Sequence, residues 1–420
     1  MSFNLFKTAS IYVVVEFLNK SVPFILLPIL TRYLTPSEYG TLSLFTVYIY
    51  ILMIICSLGL TSSISVNFNQ LHRTSVPVSN STSFIIIFVC WGLVLLLSLF
   101  FGPFIAELSG IPIFWLICIF PIVLANIYFL NYTNLLQLDM RPFKFSAFQL
   151  SKSFLEGGLS IILVVVFLRS WVGRAEAMLV VSIIFLIIVL YFMIKDNYLS
   201  RKIIFSKKYA KDNLSFAIPL VPHQISYWIK TGLDRYLIAF LISQEAVGIY
   251  SAGYQVGFSL FVLVSAVNQA IIPYLYRKLK NEKDIDKQRL VNLTYKYFFI
   301  LIVLGVLANI FLPKILTILI GDNYSEASSI IPYLIFSAVI HGMYLMVLNY
   351  IFYFKESKKL ALVTFSTGIL HAALSYQFIK LYDIQGAAIA SLISYFITFV
   401  LTWRLSNKVY PLPWFDKFKI

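Results

Sequence analysis

Apolar residues run along this chain in long unbroken stretches, neither alternating nor confined to narrow stripes. A helix crosses the hydrocarbon core of a bilayer with about 20 mostly apolar residues. Runs of that kind, punctuated by Gly, Pro, Asn and charge, predict twelve spanning helices. They fall near residues 8–30, 41–61, 82–102, 111–133, 147–168, 177–194, 213–241, 249–276, 293–320, 328–354, 361–379 and 386–404. Continuous apolarity excludes a transmembrane β-barrel, whose strands alternate over about 10 residues. The first run, interrupted by Glu16 and Lys20, is too long for a cleaved signal peptide. An all-α, polytopic membrane protein is expected.

Composition agrees. Of 420 residues, 60% are hydrophobic, 17% aromatic and only 12% charged, with a mean hydropathy of +0.86. Soluble domains carry about 25% charged residues, and this much apolar surface could not all be hidden from water. A soluble enzyme, a nucleic-acid reader and a disulfide-stapled secreted domain are thereby disfavoured. Cys56, Cys90 and Cys118 all lie inside apolar runs and imply no disulfide framework.

The net charge of +15 has a topological origin. With the N-terminus in the cytoplasm, 23 of the 33 Lys and Arg fall on the cytoplasmic side, clustered in 195–211, 277–289, 355–359 and the tail. The opposite side keeps only Arg32, Arg169, Arg174 and Lys380, in short loops. This asymmetry places both termini inside.

Internal similarity points to a duplication. Pro103, Gly110 and Pro121 are matched in order by Pro313, Gly321 and Pro332. Glu38-Tyr39-Gly40 resembles the stretch from Glu245 to Gly248, and Gly173 with Ala177 echoes Gly386 with Ala390. Six helices per repeat is an even number, so both halves point the same way, about an axis along the membrane normal. The expected organisation is two pseudo-symmetric lobes, residues 1–206 and 207–420, around a central polar cavity. The basic stretch Lys195–Lys211 reads as a solvated linker.

Against this background a few charges stand out. Helix 1 carries Glu16 and Lys20, helix 5 Lys152 and Glu156, and helix 7 Lys230, Asp234 and Arg235. Each costs about 2.5–3.5 kcal/mol at the bilayer centre, roughly 20 kcal/mol together, more than the usual net stability of a protein. They must face water or one another, and acid and base four apart share a helix face and can pair. The plain reading is structural ion pairs within helices. The functional one gives Lys20, Lys152, Lys230 and Arg235 to an anionic substrate, where Lys and Arg meet phosphate oxygens. It gives Glu16, Glu156 and Asp234 to ion coupling or the cavity wall.

Weaker polar candidates follow. His223, His341 and His371 are helix histidines, for which hydrogen-bonded packing is the default. Asn19, Asn126, Asn131, Gln149, Gln224, Asn268, Gln269 and Asn349 are expected chiefly to bond across helices. Pro219 and Pro222 would bend helix 7. The aromatics suit interface belts and lipid-facing surface, and a few could stack on sugar rings. No His, Cys and carboxylate cluster has metal spacing, and no cofactor is implied. A phosphate-binding Gly-rich loop, a nucleophile elbow and an external loop with paired carboxylates are all missing from the sequence. Transport fits better than catalysis.

The run from Pro28 to Gly40 (PILTRYLTPSEYG) is similar to the entry signature of the polysaccharide-transport branch of the MOP exporter superfamily. Ile218-Pro219 with Pro222, Asp234-Arg235 and the stretch from Val247 to Ser251 resemble the same family's helix 7–8 signature. Ile320 to Tyr324 and Gly386 to Ala390 fit its later loops. The resemblance covers essentially the whole chain and is carried by the order and spacing of the motifs. It implies a Wzx-type flippase of the bacterial inner membrane, exporting undecaprenyl-diphosphate-linked oligosaccharide units for O-antigen, lipopolysaccharide or capsule. A two-lobe cavity, alternating access, ion-gradient coupling and intramembrane charges in helices 1 and 7 are further implications. Its partners would be the lipid-linked oligosaccharide, membrane lipids, and a polysaccharide polymerase and chain-length regulator, with no nucleic acid. Lys152 and Glu156 are proposed from this sequence alone.

Two alternatives stand beside this expectation. One is a cation-coupled exporter of small amphipathic drugs from the same superfamily. The other is a scaffold of a polysaccharide assembly complex that moves no substrate, whose buried charges would tolerate paired hydrophobic replacement. An enzyme comes last.

Overall fold

In a computed structural model, residues 2–280, 287–354 and 356–414 are described, so the expected cytoplasmic residues Lys283, Lys355, Lys417 and Lys419 lie outside them. Among the described residues every regular element is helical. The first seven helices are α1 (Ser2–Tyr33), α2 (Pro36–Ser57), α3 (Leu60–Gln70), α4 (Val76–Ser109), α5 (Ile113–Leu138), α6 (Pro142–Ile161) and α7 (Ser170–Lys195). They are followed by α8 (Lys207–Ala217), α9 (Val221–Leu241), α10 (Gln244–Lys280), α11 (Lys287–Leu319), α12 (Ile331–Tyr353) and α13 (Ser357–Val409).

Among the described residues ten helices are long and apolar enough to cross a membrane. The last of these spans 52 residues, about 78 Å at 1.5 Å per residue, far more than one crossing requires. It breaks at Tyr382 and Asp383, where φ/ψ values of −136°/20° and 50°/−136° leave the helical region. Gly386 permits the break, because a Cβ there would run into the Phe378 carbonyl. Counting its two halves, and adding α9 with its three charges, gives the twelve expected spans. The chain is a multi-pass membrane protein.

Two boundaries differ from expectation. Residues 62–70, outside the expected spans, form most of α3, and the span expected at 213–241 is broken by a 3-10 turn at Ile218–Leu220 into α8 and α9. The break has a covalent cause: Pro219 and Pro222 lack the amide protons that a continuous helix would use.

The chain divides into two compact units between Trp228 and Ile229. Residues 207–228 fall with the first because α4 begins with Ser79-Asn80-Ser81-Thr82-Ser83, all five buried. Asn80 Nδ2 donates to the Tyr198 carbonyl at 2.9 Å, and Ser81 and Thr82 accept from the backbone of Ser200 and Ser206, each at 3.1 Å. Asn213 of α8 donates to Ser83 Oγ at 2.8 Å and accepts from Asn67 of α3 at 2.7 Å. Gly59, in the left-handed region at φ 74°, lets Ala217 close in, since a Cβ there would sit 2.6 Å from the Ala217 carbonyl oxygen. The expected solvated linker is thus partly tied down by backbone groups that a polar helix start satisfies.

Connections in the first unit meet in the order that alternate crossings demand. At one end Thr35 and Glu38 form a capping box, and Ser170 donates to Glu38 Oε1 at 2.5 Å. At the other end three connections share an ion network. Arg73 reaches Asp139 at 2.8 Å, Arg141 bridges Asp139 at 2.7 Å and Asp196 at 3.2 Å, and Lys144 reaches Asp196 at 2.6 Å. Burial alone would push the Asp139 carboxyl up. The Tyr198 and Arg73 hydrogen bonds and the charges of Arg141 and Arg73 outweigh it and hold the carboxyl below its ordinary value.

In the second unit, close helix approach depends on glycine. A Cβ on Gly253 or Gly257 of α10 would come within 2.7 Å of Ile330 or 2.6 Å of Leu334. Small residues at such seams let backbones approach in the absence of a hydrophobic drive between helices. The end of α12, the end of α13 and the start of α11 gather together: Tyr410 stacks on Tyr350 and Phe354, and Lys287 donates to the Pro411 carbonyl at 3.2 Å.

Two predictions follow from this packing. Gly257→Leu should lower thermal stability of the detergent-solubilised protein by about 1–3 kcal/mol, the usual cost of overpacking, while Gly158→Ala, with open space at its Cβ, should not. The Asp139 contribution is fully present above the ordinary carboxyl value of 3.8 and is lost as pH falls through the lower folded value. Asp139→Asn should therefore lower the melting temperature at pH 7 and flatten its decline on acidification, measured from pH 7 to pH 3.

Candidate functional site

Each unit holds its own polar centre. In the first, α1 presents Glu16 and Lys20 one turn apart, with Nζ and Oε2 separated by 3.8 Å and both side chains more than 40% exposed. Between them in sequence, Asn19 donates to Gln149 Oε1 of α6 at 3.3 Å and accepts from Ser153. One turn further along α6 lies the buried part of the centre. Glu156 takes Lys152 at 3.4 Å and Arg174 of α7 at 2.8 Å. Lys152 also donates to Asn126 of α5 at 3.0 Å and sits 5.1 Å from the Phe129 ring centroid. Arg174 adds a 2.7 Å hydrogen bond to Ser160.

This corrects one reading. Arg174 was expected in an external loop, but it lies within α7 and neutralises Glu156 from a second helix. Its signal was a polar side chain inside the first turn of an apolar run, which charge counting assigned to the flank. Around Glu156, one carboxylate faces two cations, so the centre keeps an excess positive charge.

The second unit differs. On α9, Lys230, Asp234 and Arg235 are all buried, at 7%, 1% and 8% exposure. The expected Lys230–Asp234 pair does not form. Asp234 instead lies 3.2 Å from Nε2 of His371 on α13 and accepts from Tyr250 at 3.1 Å and Ser391 at 3.4 Å. His371 completes its bonding with Ser394 at 3.0 Å and Ser375 at 3.4 Å. A histidine read as packing is thus the direct partner of the key carboxylate. Spacing along one helix could not reveal it, because the pairing joins helices far apart in sequence.

Lys230 donates to two hydroxyls, Thr367 at 2.8 Å and Thr398 at 2.7 Å. Arg235 donates to the Thr231 carbonyl at 2.6 Å and to Ser251 at 3.2 Å, with its guanidinium 4.4 Å over the Tyr254 ring. Among the described residues neither cation has an ion-pair carboxylate. Hydroxyls and a ring face solvate these charges without neutralising them. Nearby, Asn349 donates to Asn268 at 2.8 Å, a bond across helices of the kind expected.

All seven charged residues singled out from sequence are therefore in polar centres: Glu16, Lys20, Lys152 and Glu156 in one unit, Lys230, Asp234 and Arg235 in the other. Among the described residues no group of three His, Cys, Asp or Glu could hold a metal ion.

Known proteins resemble the chain over most of its length. The sequence profile of the family described as polysaccharide biosynthesis protein matches residues 5–279. A Haemophilus influenzae protein, Lsg locus putative protein 1, is 27% identical over 382 residues, 88% of this chain and 90% of its own. A putative O-antigen transporter of Shigella flexneri is 24% identical, covering 80% of this chain and 82% of its own. In structure, the lipid II flippase MurJ in an inward closed conformation superposes with a TM-score of 0.75 at 16% identity, covering 94% of this chain and 87% of MurJ. An inward-facing multidrug resistance MATE transporter of the MOP superfamily gives 0.70 at 13% identity, covering 93% and 94%. The Shigella relative and the two structural neighbours named are transporters or a flippase rather than enzymes. With its helices arranged as in MOP-superfamily transporters, and matched by the profile over most of its length, the chain belongs to the polysaccharide biosynthesis protein family.

Proposed function

We propose that the protein is a flippase of undecaprenyl-diphosphate-linked oligosaccharides in the bacterial inner membrane, serving O-antigen or capsule-type polysaccharide synthesis. The observation that carries this reading is the pair of buried cations, Lys230 and Arg235, solvated by hydroxyls and rings without a carboxylate partner. A buried uncompensated charge is costly unless a ligand of opposite sign completes it. A diphosphate is such a ligand. Lys20 and Lys152 supply further positive charge in the first unit, and the polyprenyl tail stays in lipid. Carrying the sugar past these groups spares its hydroxyls an unsatisfied passage through hydrocarbon.

Fold alone does not separate this from drug export, because MATE transporters share the architecture. The family match and the O-antigen transporter relative favour the lipid-linked substrate. The basic bias of the connections supports a topology with both termini in the cytoplasm. We assign coupling to the Asp234–His371 pair: a carboxylate and an imidazole in direct contact, shielded from bulk water, change net charge on binding one cation. The exposed Glu16 and the doubly paired Glu156 are secondary candidates. Alternating exposure of these centres to the two sides of the membrane is the proposed mechanism, with residues 1–228 and 229–420 as the two moving lobes in place of the expected 1–206 and 207–420.

Replacing Lys20, Lys152, Lys230 or Arg235 singly with Ala should abolish or cripple polysaccharide export at unchanged protein level in membranes. Full export in all four variants would remove the proposed site. Asp234→Asn should leave lipid-linked oligosaccharide binding within about threefold of the parent, under 1 kcal/mol, and abolish stimulation of transport by an imposed ion gradient in proteoliposomes. Retained stimulation would reassign the coupling.

A further inference from the structure

An aromatic ladder occupies one face of α10. Tyr250, Tyr254, Phe258 and Phe261 recur at the spacing that puts side chains on a single helix face. Their ring centroids follow at 6.0, 5.8 and 5.6 Å, the last two pairs nearly parallel at 20° and 19°. Phe261 then meets His341 of α12 at 5.1 Å and Tyr395 of α13 at 5.4 Å.

Helix packing accounts for the two ends of the ladder, Tyr250 and Phe261, which are buried, but not for its middle. The seam between α10 and α12 runs through Gly253 and Gly257, against Ile330 and Leu334. Tyr254 and Phe258 stay only half-buried on their own face. Offset stacking at these separations leaves part of each ring face open.

Charge and polarity bracket the rings. Arg235 stands 4.4 Å over Tyr254, and Lys230 lies 5.8 Å from the Tyr395 centroid, both cations lacking a carboxylate partner among the described residues. Within the aromatic cluster, His341 Nδ1 is buried and finds no hydrogen-bond partner among the described residues. A buried polar atom left in that condition costs about 1–3 kcal/mol, which an incoming hydroxyl would relieve.

A pyranose matches all three features. Its axial C–H bonds, made electropositive by the ring oxygens, pack on the negative face of an aromatic ring. Its hydroxyls offer donors and acceptors to a histidine, and its anomeric diphosphate requires cations. We infer that the partly exposed Tyr254 and Phe258, backed by the buried Phe261 and Tyr395 and beside His341, form a glycan subsite that receives the sugar rings next to the diphosphate. This rests on the flippase reading and adds to it the part of the protein that recognises sugar apart from lipid phosphate. A ring platform tolerates many sugars, while His341 selects for a correctly placed hydroxyl.

The test uses the purified full chain in nanodiscs and two probes, undecaprenyl diphosphate and the undecaprenyl-diphosphate-linked oligosaccharide extracted from the native host. The intact chain should bind the oligosaccharide lipid more tightly than the bare one. Phe258→Leu should remove most of that preference, about tenfold, and leave the bare lipid unaffected, whereas Phe258→Tyr should keep it. Equal loss for both lipids, or no loss, would overturn the subsite with the flippase reading intact. Binding of neither lipid by the intact chain would overturn both. Hydrogen exchange on the unaltered chain gives an answer independent of variant folding. The oligosaccharide lipid should add protection across residues 250–261 beyond that given by the bare lipid, and its absence there would contradict the proposal.

Discussion

The cost of a charge in hydrocarbon organises this molecule. Each ionised side chain at the bilayer centre carries a penalty of a few kcal/mol, so every one kept inside a span needs water, a partner or a ligand. Glu156 has two partners from two helices, and Asp234 has an imidazole and two hydroxyls. Among the described residues Lys230 and Arg235 have only neutral acceptor oxygens and aromatic faces. That asymmetry carries the proposed reading: Glu156 and Asp234 have cationic or imidazole partners within the protein, whereas Lys230 and Arg235 have no carboxylate among the described residues.

The fold was largely legible because lipid imposes a simple rule on sequence. Backbone groups must be satisfied within each span, and runs of about 20 apolar residues announce where. The element that resisted was the region 207–241. Its apolar pattern continues through Ile218-Pro219-Leu220, and only the prolines hint that the helix must restart. The burial of Ser79 to Ser83 was equally hidden, since the expected span began only at residue 82 and five consecutive polar residues carry no apolar signal. They are buried because the chain from Tyr198 to Asn213 returns to supply their hydrogen-bond partners, a contact with no local signature.

The candidate site was legible in its charges and illegible in its pairings. Counting i, i+4 spacings identified Glu16–Lys20 and Lys152–Glu156 correctly. The same rule failed for Lys230 and Asp234, because a rule about one helix says nothing of what a neighbouring helix offers. His371, 137 positions after Asp234 by sequence number, takes the carboxylate, and Thr367 and Thr398 take the amine. Arg174 was displaced from notice by the convention that charges near a span end belong to the loop. The aromatic face of α10 was visible as spacing but had no meaning until the cations and the unsatisfied His341 appeared beside it.

The central claim is that this chain moves a lipid-linked glycan across the membrane. Deleting it in its native host and locating the undecaprenyl-diphosphate-linked repeat units by leaflet tests that claim most directly. The account predicts loss of the surface polysaccharide with intact repeat units trapped on the cytoplasmic face. Unchanged surface glycan, or repeat units reaching the outer face at the normal rate, would contradict it.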